Sequence, residues 1–153
     1  MLLKPMQYYP WYMISPLLIL LGLLSCKSVP FQPEHYEGDY LIIGDGGGYT
    51  GWENRYYITA RGAVYLQSGR DTTYLKQSNI DKRIANQALR NVRALDLVNY
   101  EYSNPGNVYK FLAMSIDGIH NRIVWGGNQD QINPAITNLY QLLNSSLQKK
   151  DNL

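Results

Sequence analysis

The chain is poor in the residues that most often carry enzymatic chemistry. Its 153 residues include one cysteine, Cys26, and two histidines, His35 and His120. A single cysteine excludes an intramolecular disulfide framework. No H-E-x-x-H, C-x-x-C or G-x-S-x-G motif is present to mark a metalloprotease, a dithiol site or a serine hydrolase. The composition predicts a protein that is not an enzyme and that has no cofactor and no metal site.

An excess of charge of one sign is also absent. Lys4 accounts for one of the 14 lysines and arginines, which leaves thirteen beyond the first 25 residues against twelve aspartates and glutamates. A nucleic-acid partner requires clustered positive charge, and this near balance argues against one.

The longest apolar run lies near the start of the chain. Residues 13–24 are apolar except for Ser15, and this run is shorter than the ~20 residues that span a bilayer. It ends in Leu23-Leu24-Ser25-Cys26. A short apolar core followed by a small residue is typical of a signal-peptide cleavage site.

This quartet resembles the lipobox of bacterial lipoproteins. The resemblance implies that residues 1–25 are a signal peptide and that Cys26 is acylated and becomes the new N-terminus. Each buried methylene of a lipid contributes ~0.8 kcal/mol, so several chains give lasting attachment to a bilayer. Lys27 follows the cysteine, which by the same resemblance favours the outer membrane. An ordinary secretory signal and a buried apolar helix are the alternatives.

The remaining chain predicts a tether and one α+β domain. Residues 26–37 contain Pro30 and Pro33 and show no periodicity, so we interpret them as the tether, and residues 38–149 as the domain. Strand-like segments, a helical pattern after Ser78 as N-cap, and a hairpin at Asp117-Gly118 follow in turn. Asn133-Pro134 opens a second helix. We expect an antiparallel sheet of four to five strands with two helices on one face, in the order β-β-β(-β)-α-β-β-α.

Residues 44–51, "GDGGGYTG", formally contain G-x-G-x-x-G. A dinucleotide site needs a helix after the glycines, but the strand-like "WENRYYITARG" follows, so we expect no nucleotide. We expect Gly46 to Trp52 to form an exposed connection between two antiparallel strands. Its glycines serve either a hairpin turn or bulge, or a recognition loop flanked by aromatic anchors. The candidate partner-binding residues are Gly46, Gly47, Gly48, Tyr49, Thr50 and Trp52.

The arrangement also resembles small envelope lipoproteins of Gram-negative bacteria and, more distantly, emfourin, a family of inhibitors of thermolysin-like metallopeptidases. The second resemblance rests on Gly47-Gly48-Tyr49-Thr50 near the first strand and on the order of the later elements. It implies a lipid-anchored, non-enzymatic module that binds an envelope protein or inhibits a peptidase. The alternatives are a structural or assembly lipoprotein and an enzyme that uses Asp39, Asp45 and Glu53.

Overall fold

A computed structural model describes residues 30–48, 51–127 and 131–148. The predicted signal peptide and Cys26 lie outside these residues. Every element discussed below belongs to one unit, Phe31–Leu153. Among the residues described, no helix has both the length and the apolar character needed to span a membrane.

The domain is α+β, with two α-helices and one seven-stranded sheet. The elements in chain order are β1 Tyr40–Gly47, β2 Trp52–Thr59, β3 Val64–Ser68, β4 Leu75–Lys76, α1 Lys82–Ala94, β5 Ser103–Asn104, β6 Val108–Ile116, β7 Ile119–Trp125 and α2 Pro134–Gln148. The order across the sheet is β4-β3-β2-β1-β6-β7-β5. The first strand therefore lies at the centre, between β2 and β6.

The α+β class is confirmed, but the strand count and the pairing differ from the prediction. The sheet has seven strands instead of four to five, and it is mixed because β5 pairs with β7 in parallel, Ser103 opposite Val124. Both edge strands, β4 and β5, have two residues. A strand of two residues is too short to show the alternation typical of strands, so the sequence pattern could not reveal β5.

The main hydrophobic core lies between the helices and one face of the sheet. The buried side chains of both helices form a single cluster with alternate residues of the central strands. On β1 these are Leu41 and Ile43, which are almost fully buried. Their even-numbered neighbours point to the other face, which we call the open face because neither helix contributes to its small apolar cluster.

Local signals placed two of the three predicted turns and caps correctly. Asp117 and Gly118 both have positive φ, as a type I′ hairpin requires, and the Asn133 side chain accepts a hydrogen bond at the start of α2. The cap predicted at Ser78 is wrong. Helix α1 begins at Lys82 and is capped by Asp81, because the Ile80 amide donates to the Gly62 carbonyl and is not available to a helix that begins at Ser78.

Part of the predicted tether packs against the sheet. A 3₁₀ turn at Pro33–His35 follows Phe31, whose ring contacts tyrosines of the open face.

Candidate functional site

The glycine-rich stretch lies at the end of the β1–β2 hairpin. Strand β1 continues through Gly47, and β2 begins at Trp52, directly opposite Gly47. The predicted strand–connection–strand order is confirmed, but the connection consists of residues 48–51 only. Of the six candidate binding residues, Gly46 and Gly47 belong to β1, and Gly48 begins the turn. Tyr49 and Thr50 lie outside the described residues.

The tip of this hairpin presents two apolar side chains to solvent. Trp52 is 53% exposed and Val108 is 68% exposed. They are the Cα partners of Gly47 on its two sides, in β2 and β6. We call this pair of exposed side chains, which flank a residue without a side chain, the hairpin tip.

Two glycines of β1 are required by the close approach of side chains over the open face. Gly46 lies between Glu53 on β2 and Tyr109 on β6. The Tyr109 hydroxyl nonetheless donates to Glu53 Oε1 over 2.6 Å. A Cβ atom on Gly46 would lie 2.7 Å from Glu53 Cγ and 2.9 Å from the Tyr109 ring. At Gly44, two residues earlier on the same face of β1, a Cβ would overlap the Phe111 ring and the Asn54 carbonyl oxygen. The glycines thus form a trough that side chains of the neighbouring strands bridge.

Glu53 is the centre of the polar network in this trough. It is only 8% exposed, yet it is charged and fully paired. Arg55 donates to Oε2 from Nε at 2.8 Å, and Arg122 of β7 donates to Oε1 from a terminal nitrogen at 2.6 Å. Burial alone would raise the pKa of the Glu53 carboxyl, but the hydrogen bonds from Arg122, Tyr109 and Arg55 outweigh it and lower the pKa to about 2.

The two arginines are held in place by further contacts on the open face. The Arg122 guanidinium lies over the Phe111 ring, 4.0 Å from its centroid, which is a favourable cation–π arrangement. Arg55 also donates to Gln67 on β3, whose amide oxygen accepts a second bond from the Tyr57 hydroxyl. One network therefore connects β3, β2, β6 and β7 across the central strand.

The three acids near the glycine stretch do not converge. Asp39 accepts hydrogen bonds from Arg93 of α1 and from the Asp117 amide. Burial works against these two partners, but together they lower the pKa of Asp39. Asp45 lies on the helix side of β1 and Glu53 on the open face. Within the part of the chain that the structure describes, no group of three or more histidines, cysteines and acids has the placement of a metal site. Asp39, Asp45 and Glu53 therefore do not form a carboxylate pair in the described structure.

Sequence reasoning missed Arg55, Tyr109 and Arg122. One signal was available in the sequence. Gly44 and Gly46 occupy alternate positions of one strand, and Glu53 and Arg55 occupy alternate positions of the next, so small residues lie beside large ones. To locate Tyr109 and Arg122 from this signal, one must also know that β1 lies beside β6, and the sequence does not show which strands are neighbours.

Comparisons with known proteins give no relative: no protein-family model matches the chain, and no curated protein matches it significantly. The resemblance to lipoproteins therefore rests on the lipobox-like quartet, and the resemblance to emfourin on the glycine segment and the order of the elements.

Proposed function

We propose that this protein is a lipid-anchored, non-enzymatic binding module of the bacterial cell envelope, and that it contacts a protein partner through the hairpin tip. The observation that carries the contact is the pair of exposed apolar side chains, Trp52 and Val108, on either side of Gly47. The anchor rests on the lipobox-like quartet before Cys26, which also favours the outer membrane.

The hairpin tip has the properties of a small recognition surface. Tryptophan is the residue type that most often dominates binding energy at protein interfaces, because it buries a large area with little loss of side-chain freedom. Trp52 is followed directly by Glu53, whose network holds the base of the hairpin. A rigid base lowers the entropy cost of binding, since the tip does not need to be ordered by its partner.

A structural or assembly role is the second candidate, and it would draw on an exposed tyrosine surface of the sheet. Tyr40 and Tyr57 of the open face are each only 6% exposed. Their rings pack with Phe31 and with each other. Phe31 covers these tyrosines in this structure whereas the hairpin tip is exposed, and this favours the tip as the contact surface of the domain as it stands.

The test compares two exposed apolar residues. Trp52→Ala removes the tip side chain, and Leu75→Ala, which is 57% exposed on β4, is the matched control. Each tagged variant is used to capture partners from detergent-solubilised envelopes, and its thermal stability is measured in parallel. We expect a protein captured by the wild type to be lost with Trp52→Ala and retained with Leu75→Ala. Equal capture by both variants would rule out the tip as the contact surface.

The emfourin resemblance makes a thermolysin-like metallopeptidase the first partner to assay. Inhibition of purified thermolysin that is weakened by Trp52→Ala, but not by Leu75→Ala, would identify the class of partner. Envelope capture without inhibition would leave the binding module in place and exclude inhibition of this peptidase.

A further inference from the structure

The open face contains an aromatic site that the chain itself fills. The Phe31 ring has five tyrosine rings as neighbours, at centroid distances from 4.1 to 6.5 Å: Tyr36, Tyr40, Tyr57, Tyr65 and Tyr74. It is stacked on Tyr65 with an interplanar angle of 7° and is edge-on to Tyr57 and Tyr74. Such arrangements are the favourable ones for aromatic pairs. We call the four tyrosines beyond the 31–36 segment (Tyr40, Tyr57, Tyr65 and Tyr74) the tyrosine box.

The 31–36 segment is attached to the sheet by side chains alone. Its backbone hydrogen bonds join His35 to Gln32 and Tyr36 to Pro33, and none of those found among the described residues joins it to a strand. Among the described residues, an exposed hydrogen bond of 3.4 Å from the Tyr74 hydroxyl to Glu34 links the segment to the rest of the domain. Main-chain bonds with the sheet resume at Asp39, whose carbonyl accepts from the Ala60 amide. Withdrawal of Phe31 therefore breaks no strand pairing.

A second depression of the open face adjoins the tyrosine box. A hollow of about 420 Å³ shares Tyr40 and Tyr57 with the box and continues over Ile42 and Phe111 to Arg122. The open face thus has room for a larger segment than the one that now lies on it. Its lining is partly apolar, with Ile42 and Phe111, and partly polar, with Arg55 and Arg122.

We propose that the tyrosine box is a binding site for an aromatic side chain carried by an extended segment of a protein partner, and that Phe31 occupies it in cis as a built-in competitor. The occupant reveals the chemistry that the site accepts, which is an aromatic ring next to proline, followed by an extended residue and a short 3₁₀ turn. Because Phe31 competes for the box, the apparent affinity for the partner is the intrinsic affinity multiplied by the fraction of molecules in which the box is empty. This site lies on the open face, away from the hairpin tip, and does not depend on the function proposed for the tip.

The test supplies the segment in trans. The probe is a fluorescent peptide with the sequence of residues 28–36, and the control peptide carries alanine in place of Phe31. Binding to the full-length chain in detergent micelles is followed by fluorescence anisotropy for the wild type and for Phe31→Ala. We expect the empty box of Phe31→Ala to bind the probe at least about tenfold more tightly than the wild type does, and not to bind the control peptide. A double variant, Phe31→Ala with Tyr65→Ala, should lose this binding.

Equal binding by the two proteins, or no binding to a Phe31→Ala variant that melts cooperatively, would overturn the proposal. If Phe31→Ala fails to fold, the wild type answers the question. Excess probe should then accelerate hydrogen exchange of residues 31–36 by displacing them from the box, while the control peptide should not. Unchanged exchange would overturn the proposal equally.

Discussion

The replacement Glu53→Gln tests whether the charge network in the glycine trough stabilises the domain. Glutamine keeps the size of the side chain and one oxygen acceptor, but it removes the negative charge that Arg55 and Arg122 share. The side-chain oxygen of the glutamine can still accept the hydrogen bond from the Tyr109 hydroxyl. The change therefore reports mainly on charge and leaves the packing around Gly46 nearly intact.

The size of the effect follows from the pKa of this carboxyl. Its lowering from 4.5 to about 2 corresponds to about 3 kcal/mol of stability above pH 4.5. The side chains of Arg55 and Arg122 are 34% and 39% exposed, so water screens part of the attraction. We expect Glu53→Gln to lower the free energy of unfolding by about 1–2 kcal/mol near pH 7.

The pH dependence separates this effect from a loss of packing. The folded pKa lies below the unfolded one, so the stabilisation is complete above about pH 4.5 and is lost as the pH falls towards 2. The difference between wild type and Glu53→Gln, measured by urea denaturation at several pH values, should fall by more than about half between pH 7 and pH 3. Glu101→Gln, at an exposed acid, is the control. A difference that does not change with pH, or one matched by Glu101→Gln, would refute the reasoning.

Two further predictions concern the backbone of the tip and the anchor. Gly47 has φ +118° and no space for a Cβ beside the Asn107 carbonyl oxygen, whereas Gly48 has φ +70° and open space. Gly48→Ala should thus cost about 1 kcal/mol of unfolding free energy and Gly47→Ala at least about 2–3 kcal/mol in the same urea titration, and equal costs would contradict this account. Cys26→Ala should block processing by the lipoprotein peptidase and release the chain from membranes; unchanged fractionation and mature mass would disprove lipidation at this residue.

The features that the sequence predicted correctly depend on neighbouring residues. The type I′ turn needs only Asp117 and Gly118, and the start of α2 needs only Asn133 and Pro134. Each is specified by the conformational preferences of two adjacent residues, so no knowledge of the rest of the fold is required.

The features that it did not predict depend on residues far apart in the chain. Arg122 lies 69 positions after Glu53, and the two meet only because β1 is central and β6 and β7 follow it on one side. No period or spacing in either segment encodes that order. The same limit applies to Phe31. The segment around it has no periodicity, so we predicted a tether, but its ring packs against Tyr65, which is distant in the chain.

The trough and the hairpin tip are physically coupled. Gly46 pairs with Glu53 in the register position next to Gly47 and Trp52, so the network lies at the base of the exposed tip. Strand β1 has no side chains at Gly44, Gly46 and Gly47 with which to stiffen this end of the hairpin, and the bridging bonds from Tyr109 and Arg122 to Glu53 supply the missing contacts. If the tip binds a partner, Glu53→Gln should weaken that binding near pH 7 although Glu53 lies on the opposite face from Trp52. Because the folded carboxyl keeps its charge down to its pKa of about 2, the difference in binding between the two proteins should persist from pH 7 to about pH 4.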